Sequence, residues 1–261
     1  MLINKNFLEV DYILGLKKDP YLEQEFYKDE PFCKIHINKD ITHNGINSLG
    51  FRSDEFTNVH DDLHVLFSGC SFTWGTGLDI EQTWGYKLYQ KINSNKKCSG
   101  FFNLGSPGTS FIFQIANLFK YFRLYGNPNI LFLNMTEILR FYSYSINRNV
   151  ILDAKYKREY LPIFKILVYQ NYLLLEEYCK TNNIKLISFS WEQETEDFLD
   201  TFKTFYKINQ DKIYKDIHDN FNKNSSNSKF IELMAKDNLH YGEIFHEVWY
   251  EKIYEKYLNI L

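Results

Sequence analysis

The stretch SGCSFTWGTG, residues 68–77, places a thiol and a hydroxyl side by side. Cys70 and Ser71 follow the apolar run LHVLF, which is typical of a buried strand. Ser71 lies just beyond the end of that strand, where ligands bind in open parallel sheets. Serine becomes a nucleophile when a histidine base, itself held by an acceptor, removes its proton. Catalysis by Ser71 therefore depends on a histidine that can reach it.

Two of the seven histidines follow an aspartate by three residues, His64 in DDLH and His240 in DNLH. This spacing lets a carboxylate hold the imidazole in one tautomer from within a short turn. His64 opens the first predicted strand, so we expect it at the amino edge of the sheet, away from Ser71. His240 precedes the last helix, in a loop that can return to the carboxyl edge with Asp237. The remaining histidines are expected in solvated loops or in packing: His36, His43, His60, His218 and His246.

Cys70 is the rival nucleophile, because an ionised thiol is intrinsically more reactive than a hydroxyl. The residue before the serine should point back toward the sheet, and cysteine is among the most buried residue types. We therefore predict that Cys70 is buried and that Ser71 does the chemistry. The four cysteines contain no C-x-x-C pair, so no disulfide framework, metal site or cofactor is indicated, and a reducing compartment fits.

These residues must be positioned by alternating strands and helices. The predicted strands are LHVLFS, GFFNL, NILFLNM and IKLISFSW, and the predicted helices are QTWGYKLYQKIN, TSFIFQIANLFKYFRLYG, YLPIFKILVYQNYLLLEEYCKTNN and GEIFHEVWYEKIYEKYLNIL. Such alternation predicts a parallel sheet covered by helices on both faces. The predicted fold class is a three-layer α/β/α sandwich with a central, mainly parallel sheet. Residues 1–60 are interpreted as an N-terminal arm packed on a domain of residues 61–261. Within that domain residues 192–229 are polar and rich in Asn, Lys and Ser, and NKNSSNSK is the most loop-like stretch.

Three segments resemble, in order, the blocks of the SGNH (GDSL-like) hydrolases: GCSFTWG the first, NLGSPGTS the second and DNLH the last. The upstream INSLGFRSDEF also resembles a segment that precedes the first block in many bacterial and phage members. The resemblance implies a flavodoxin-like SGNH fold with Ser71 as nucleophile, His240 as base and Asp237 as its orienting partner. It also implies that the backbone N–H groups of Ser71 and Gly108 bind the oxyanion.

The chain departs from the family pattern in two places. The family commonly has aspartate where this chain has Cys70. The third block, usually G-x-N-D, should follow NILFL, where the chain has NMTE, which leaves Asn134 and Thr136 as candidate oxyanion or substrate-binding residues. Loss of one oxyanion donor typically costs about 3 kcal/mol of barrier. We therefore expect either modest activity or another group in the role of donor.

Composition excludes several other classes of function. A formal net charge of −3 and a pI near 6.2 lack the basic excess that non-specific nucleic-acid binding needs. No apolar run approaches the length of a membrane span, and the first residues do not resemble a signal peptide. We expect a cytoplasmic protein without nucleic-acid or membrane partners, and the resemblance is compatible with a phage-encoded origin. The sequence does not determine the oligomeric state.

The sequence thus predicts a serine esterase that acts on a small-molecule or glycan ester, with carbohydrate O-acetyl groups as the preferred class by analogy. Two alternatives stay open. One is a binding or assembly module that keeps the SGNH fold without turnover, which Cys70 and the altered third block would explain. The other is an acyltransferase in which a sugar hydroxyl replaces water.

Overall fold

The computed structural model describes residues 44–59, 61–143, 148–151, 157–224, 233–237 and 240–258. Within these residues the elements are, in chain order, β1 (Val65–Ser68), α1 (Ser71–Trp74), a 3-10 turn (Ile80–Gln82), α2 (Trp84–Asn95), β2 (Phe102–Asn103), α3 (Phe111–Tyr125), β3 (Ile130–Met135), β4 (Arg140–Ser143), β5 (Arg148–Ile151), α4 (Lys157–Thr181), β6 (Lys185–Ser190), α5 (Gln193–Leu199), α6 (Gln210–Asn224) and α7 (Glu243–Leu258).

Four strands form one parallel sheet in the order β2-β1-β3-β6. Ser68 at the end of β1 pairs with Leu133 in β3, and Ser188 in β6 pairs with the same residue. The carboxyl ends of the strands therefore meet at one edge, as the alternation of strands and helices predicts. Strands β4 and β5 form a separate antiparallel pair.

The two faces of the sheet carry separate apolar cores. In β3, Leu131 and Leu133 belong to the core beneath α3 and α4, whereas Ile130 and Phe132 belong to the core beneath α2, α6 and α7. This alternation follows from the two-residue repeat of a strand. Trp84 of α2 is fully buried, with its ring centroid 5.7 Å from that of Phe67. Helices on both faces confirm the predicted three-layer α/β/α sandwich.

The polar segment 192–229 contains α5 and α6. Of the predicted loop-like stretch NKNSSNSK, residues 222–224 end α6, and residues 225–229 lie outside the described residues. Helix α5 begins with a side-chain cap, because the Glu192 carboxylate accepts hydrogen bonds from the backbone N–H groups of Glu194 and Thr195. Glu196 is fully buried and accepts from the backbone N–H of Asn209, which ties α5 to the segment before α6. Composition alone indicated polarity here, whereas capping and a buried carboxylate decide the structure.

Residues 44–59 are the described part of the predicted arm. Phe51 is 1% exposed. The Asp54 backbone N–H donates to Phe101 O at 2.9 Å, and its carboxylate accepts from Phe101 N at 2.8 Å. Residues 1–43 and residue 60 lie outside the described part of the chain, and a boundary at residue 60 stays a prediction. Among the described helices, none combines the length and apolar character needed to cross a membrane.

Candidate active site

The turn after β1 presents Ser71. Cys70 is the N-cap residue of α1 in an extended conformation, and Ser71 is the first residue of the helix. Cys70 is fully buried in the core beneath α2 and α7, which confirms its predicted burial. Ser71 is partly exposed. The geometry therefore separates the two candidate nucleophiles, with the thiol directed into the core and the serine at the surface of the turn.

Arg52 holds the far end of this turn. Its side chain is fully buried, and Nη1 donates to the carbonyl oxygens of Trp74 at 3.3 Å, Gly75 at 2.7 Å and Leu78 at 2.9 Å. Burial lowers the pKa of the Arg52 guanidinium to about 10, so it stays protonated at neutral pH. The type and spacing of residues did not indicate this role, although Arg52 lies within INSLGFRSDEF, the segment that resembles a family feature.

The turn that contains Gly108 is tied to the Ser71 turn. The backbone N–H of Ser106 donates to Gly69 O at 3.0 Å, and the Thr109 hydroxyl donates to the same oxygen at 3.4 Å. Gly108 lies between these two contacts and is buried. The structure thus brings the two loops that carry the predicted oxyanion donors against each other.

Asn103 makes a second link between these loops. Its side-chain amide donates to Thr73 O at 3.1 Å, while its Oδ1 accepts from Gly105 N at 2.7 Å. Asn103 was not among the predicted site residues. The sequence feature that could have indicated Asn103 is its position as a polar residue near the end of the otherwise apolar strand GFFNL.

Asn134 and Thr136, the candidates from NMTE, are both fully buried. The polar side-chain atoms of both residues have no hydrogen-bond partner among the described residues. A Cβ atom at Gly69 would lie 3.0 Å from Asn134 O, so Asn134 is adjacent to the turn that precedes Ser71. Buried amides are normally paired, so the Asn134 side chain is an unusual unpaired donor on the strand next to this turn.

Asp237 and His240 form a hydrogen-bonded pair within one short turn. His240 Nδ1 lies 2.5 Å from Asp237 Oδ2, and the His240 backbone N–H donates to Asp237 Oδ1 at 3.1 Å. A bond from Ala235 N to His240 O, 2.8 Å long, closes the turn. The Asp237 side chain is 10% exposed and that of His240 is 31% exposed. With Nδ1–H donating to the carboxylate, Nε2 carries the free lone pair that a base needs.

This turn packs against the segment that begins with Ser71. The Lys236 backbone N–H donates to Gly77 O at 3.0 Å, and the Lys236 ammonium contacts the Asp79 carboxylate at 2.9 Å. Tyr241, the residue after His240, meets Phe72, the residue after Ser71, in an edge-to-face contact with centroids 6.0 Å apart. The residues that follow Ser71 and His240 are thus in contact, although they are distant in the sequence.

The other described histidines are structural or lie outside this turn. His64 is buried, and its Nε2 is 2.8 Å from the Tyr121 hydroxyl. His246 is also buried, and its Nδ1 accepts from Trp84 N at 3.0 Å. Burial, followed by the proximity of His240, lowers the pKa of His246 to about 3. His36, His43 and His60 lie outside the described residues. Within the described ranges, no group of three or more His, Cys, Asp and Glu residues could hold a metal ion.

The similarity of this chain to known proteins is structural and distant. No family model matches the chain, and no curated protein sequence matches it. Among solved structures, the chain is similar to the psychrotrophic esterase EstA from Pseudoalteromonas sp., in a structure inhibited by monoethylphosphonate. The identity is 15%, the match covers 75% of this chain and 98% of that one, and the TM-score is 0.43. At this distance the similarity transfers no residue roles to this chain.

Proposed function

We propose that this protein is a serine esterase of the SGNH type in which Ser71 is the nucleophile, His240 the base and Asp237 the partner of His240. The observation that supports this most strongly is the Asp237–His240 hydrogen bond of 2.5 Å in a turn that packs on the Ser71 segment. A partly exposed serine and an oriented, partly exposed histidine on two segments that pack together are the groups that acyl transfer requires.

In the first half-reaction, Ser71 Oγ attacks the ester carbonyl carbon while His240 Nε2 takes the hydroxyl proton. The tetrahedral intermediate then breaks the bond to the alcohol oxygen, and His240 returns the proton to that leaving oxygen. Asp237 stabilises the imidazolium that forms between these steps. In the second half-reaction, water attacks the acyl carbonyl carbon while His240 Nε2 takes one of its protons. The bond to Ser71 Oγ then breaks, His240 returns the proton to that oxygen, and the acid leaves.

The negative charge on the carbonyl oxygen requires hydrogen-bond donors. The backbone N–H groups of Ser71 and Gly108 are the proposed pair, because the turns that carry them are joined through Gly69. The side-chain amide of Asn134 is the proposed third donor, because it is buried without a partner among the described residues and the Asn134 backbone lies against Gly69. The Thr136 hydroxyl, two residues further along the chain, is the other candidate. Removal of one such donor typically lowers kcat by a factor of about 100 to 1,000.

We propose a small-molecule or glycan ester as substrate, with a carbohydrate O-acetyl group as the preferred class. This choice comes by analogy alone, from the resemblance of the sequence blocks. A hydrolase needs no further component for this reaction, since the nucleophile, base and oxyanion donors all belong to the chain.

The test is covalent labelling with a fluorophosphonate probe, together with hydrolysis of a short-chain aryl ester. We expect label on Ser71, loss of nearly all activity in Ser71→Ala, and retention of most activity in the neighbouring control Cys70→Ala. Mass spectrometry of the acylated protein identifies the modified residue. An adduct on Cys70 with Ser71 unmodified would overturn the assignment, and a folded protein that neither labels nor hydrolyses would favour the binding module. Transfer to an added sugar acceptor in preference to water would instead indicate the acyltransferase.

A further inference from the structure

A cavity of about 140 Å³ opens next to the Asp237–His240 turn. Its lining residues come from α6, the turn and the start of α7: Tyr214, His218, Leu233, Met234, Tyr241 and Phe245. Tyr241 and Phe245 stack with ring centroids 4.4 Å apart, and Tyr214 lies 5.8 Å from Phe245. The walls are thus aromatic and aliphatic, with tyrosine hydroxyls and an imidazole as the polar groups.

The position of this cavity relative to His240 indicates which part of an ester it would hold. In serine catalysis the histidine returns its proton to the leaving oxygen, so the alcohol portion must lie on the histidine side of the serine. The carbonyl oxygen must turn the other way, toward the N–H groups of Ser71 and Gly108. Tyr241 directly follows His240, whereas the cavity has no lining residue from the β2–α3 turn that carries Gly108.

The size and chemistry of the cavity indicate the group that fits. An apolar protein cavity of about 150 Å³ is large enough to bind benzene. A volume of about 140 Å³ therefore matches a single six-membered hydrocarbon ring. Aromatic walls favour a flat ring, because offset and edge-to-face contacts add to the gain from burial.

We propose that this cavity binds the alcohol portion of the ester, and that the preferred substrates are esters of alcohols that carry an aromatic or similar apolar ring of about six carbons. This inference rests on the proposed esterase function, and it favours a small-molecule ester over the carbohydrate O-acetyl class, which analogy alone suggested. Tyr214, on α6, supplies one wall without belonging to the catalytic machinery and is 38% exposed, so its ring can be removed with little effect on the core.

The experiment compares kcat/KM for benzyl acetate and ethyl acetate, which share an acyl group and have alcohols of similar acidity. We expect the wild-type protein to prefer benzyl acetate by about tenfold or more. Tyr214→Ala should lower that preference by about fivefold and leave ethyl acetate unchanged, whereas Tyr214→Phe should retain it. The matched control is Tyr169→Ala, which removes another half-exposed ring from α4, on the opposite face of the sheet, and should change neither substrate.

Two results would overturn the inference while leaving the esterase assignment intact. One is an unchanged benzyl preference in Tyr214→Ala. The other is a change, in Tyr214→Ala, of the preference for ethyl hexanoate over ethyl acetate. These two esters differ only in the acyl group, so that change would show that the cavity binds the acyl portion. A parallel titration with benzyl alcohol, followed by NMR, measures ring binding without turnover, and Tyr214→Ala should weaken it by the same factor. Absence of both fluorophosphonate labelling and hydrolysis would contradict the proposed function instead, and the titration would then decide alone whether the cavity binds the ring.

Discussion

Replacement of Gly77 by alanine tests the contact between the Ser71 segment and the Asp237–His240 turn. Gly77 has φ +79°, a left-handed conformation that alanine adopts at a cost of roughly 1–2 kcal/mol. A Cβ atom at this position would lie 2.8 Å from Ala235 Cβ and 3.2 Å from Asp237 Cγ. Carbon atoms prefer separations of about 3.5–4.0 Å, so the turn has to shift, and overpacking of this kind costs roughly 1–3 kcal/mol more.

Gly50 provides the matched control for this substitution. Its φ is +87°, and a Cβ atom there would have nothing within 4 Å. Gly50→Ala therefore carries only the conformational cost of about 1–2 kcal/mol, whereas Gly77→Ala should lose about 2–5 kcal/mol of unfolding free energy. Urea unfolding measures both losses.

The activity of the folded Gly77→Ala protein gives the second readout. A misplacement of about 1 Å in a catalytic group can cost about a hundredfold in rate, so we expect kcat to fall by a factor of about 10 to 100. Gly50→Ala should retain wild-type kcat toward the same aryl ester. Equal losses of unfolding free energy in the two variants would show that the contact between Gly77 and the Asp237 turn adds nothing to stability. An unchanged kcat in folded Gly77→Ala would show that this contact does not position the catalytic groups.

Two further predictions concern the buried histidines. His64→Ala should lower the unfolding free energy by about 1–3 kcal/mol, because it removes the hydrogen-bond partner of the buried Tyr121 hydroxyl. It should leave kcat/KM unchanged in the folded protein, because His64 lies at the opposite edge of the sheet from Ser71. A loss of kcat/KM equal to that of His240→Ala would contradict this placement. His246 stays neutral in the folded protein down to a pKa of about 3, whereas the unfolded chain takes up its proton near the ordinary value of about 6.5. The unfolding free energy should therefore decrease as the pH falls from about 6.5 toward 3, with this residue contributing about 1.4 kcal/mol per pH unit. Urea unfolding at pH 7 and pH 5 measures this change in the unfolding free energy. His246→Asn keeps an acceptor for Trp84 N and should show a smaller change between the two pH values than the wild-type protein. An equal change in both proteins would show that another group is responsible for it.

The sequence alone determined the features that depend on local pattern. Continuous apolar strands that alternate with amphipathic helices predicted the parallel sheet, because strands covered by helices on both faces are apolar throughout, whereas each helix needs only one apolar face. The three-residue spacing of Asp237 and His240 predicted their contact, since a short turn confines the two side chains to hydrogen-bonding distance. The burial of Cys70 followed from its place beside a strand end and from the weak polarity of a thiol.

Only the tertiary structure decided which distant segments meet. The bond from Lys236 N to Gly77 O joins positions that no local repeat relates, and so does the contact between Arg52 and the end of α1. Buried hydrogen-bonding groups must find partners, and those partners are chosen by the packing of whole elements across the sheet. For the same reason, neither the bond from Trp84 N to His246 nor the aromatic cavity lined by Tyr214, Tyr241 and Phe245 could be derived from composition or spacing.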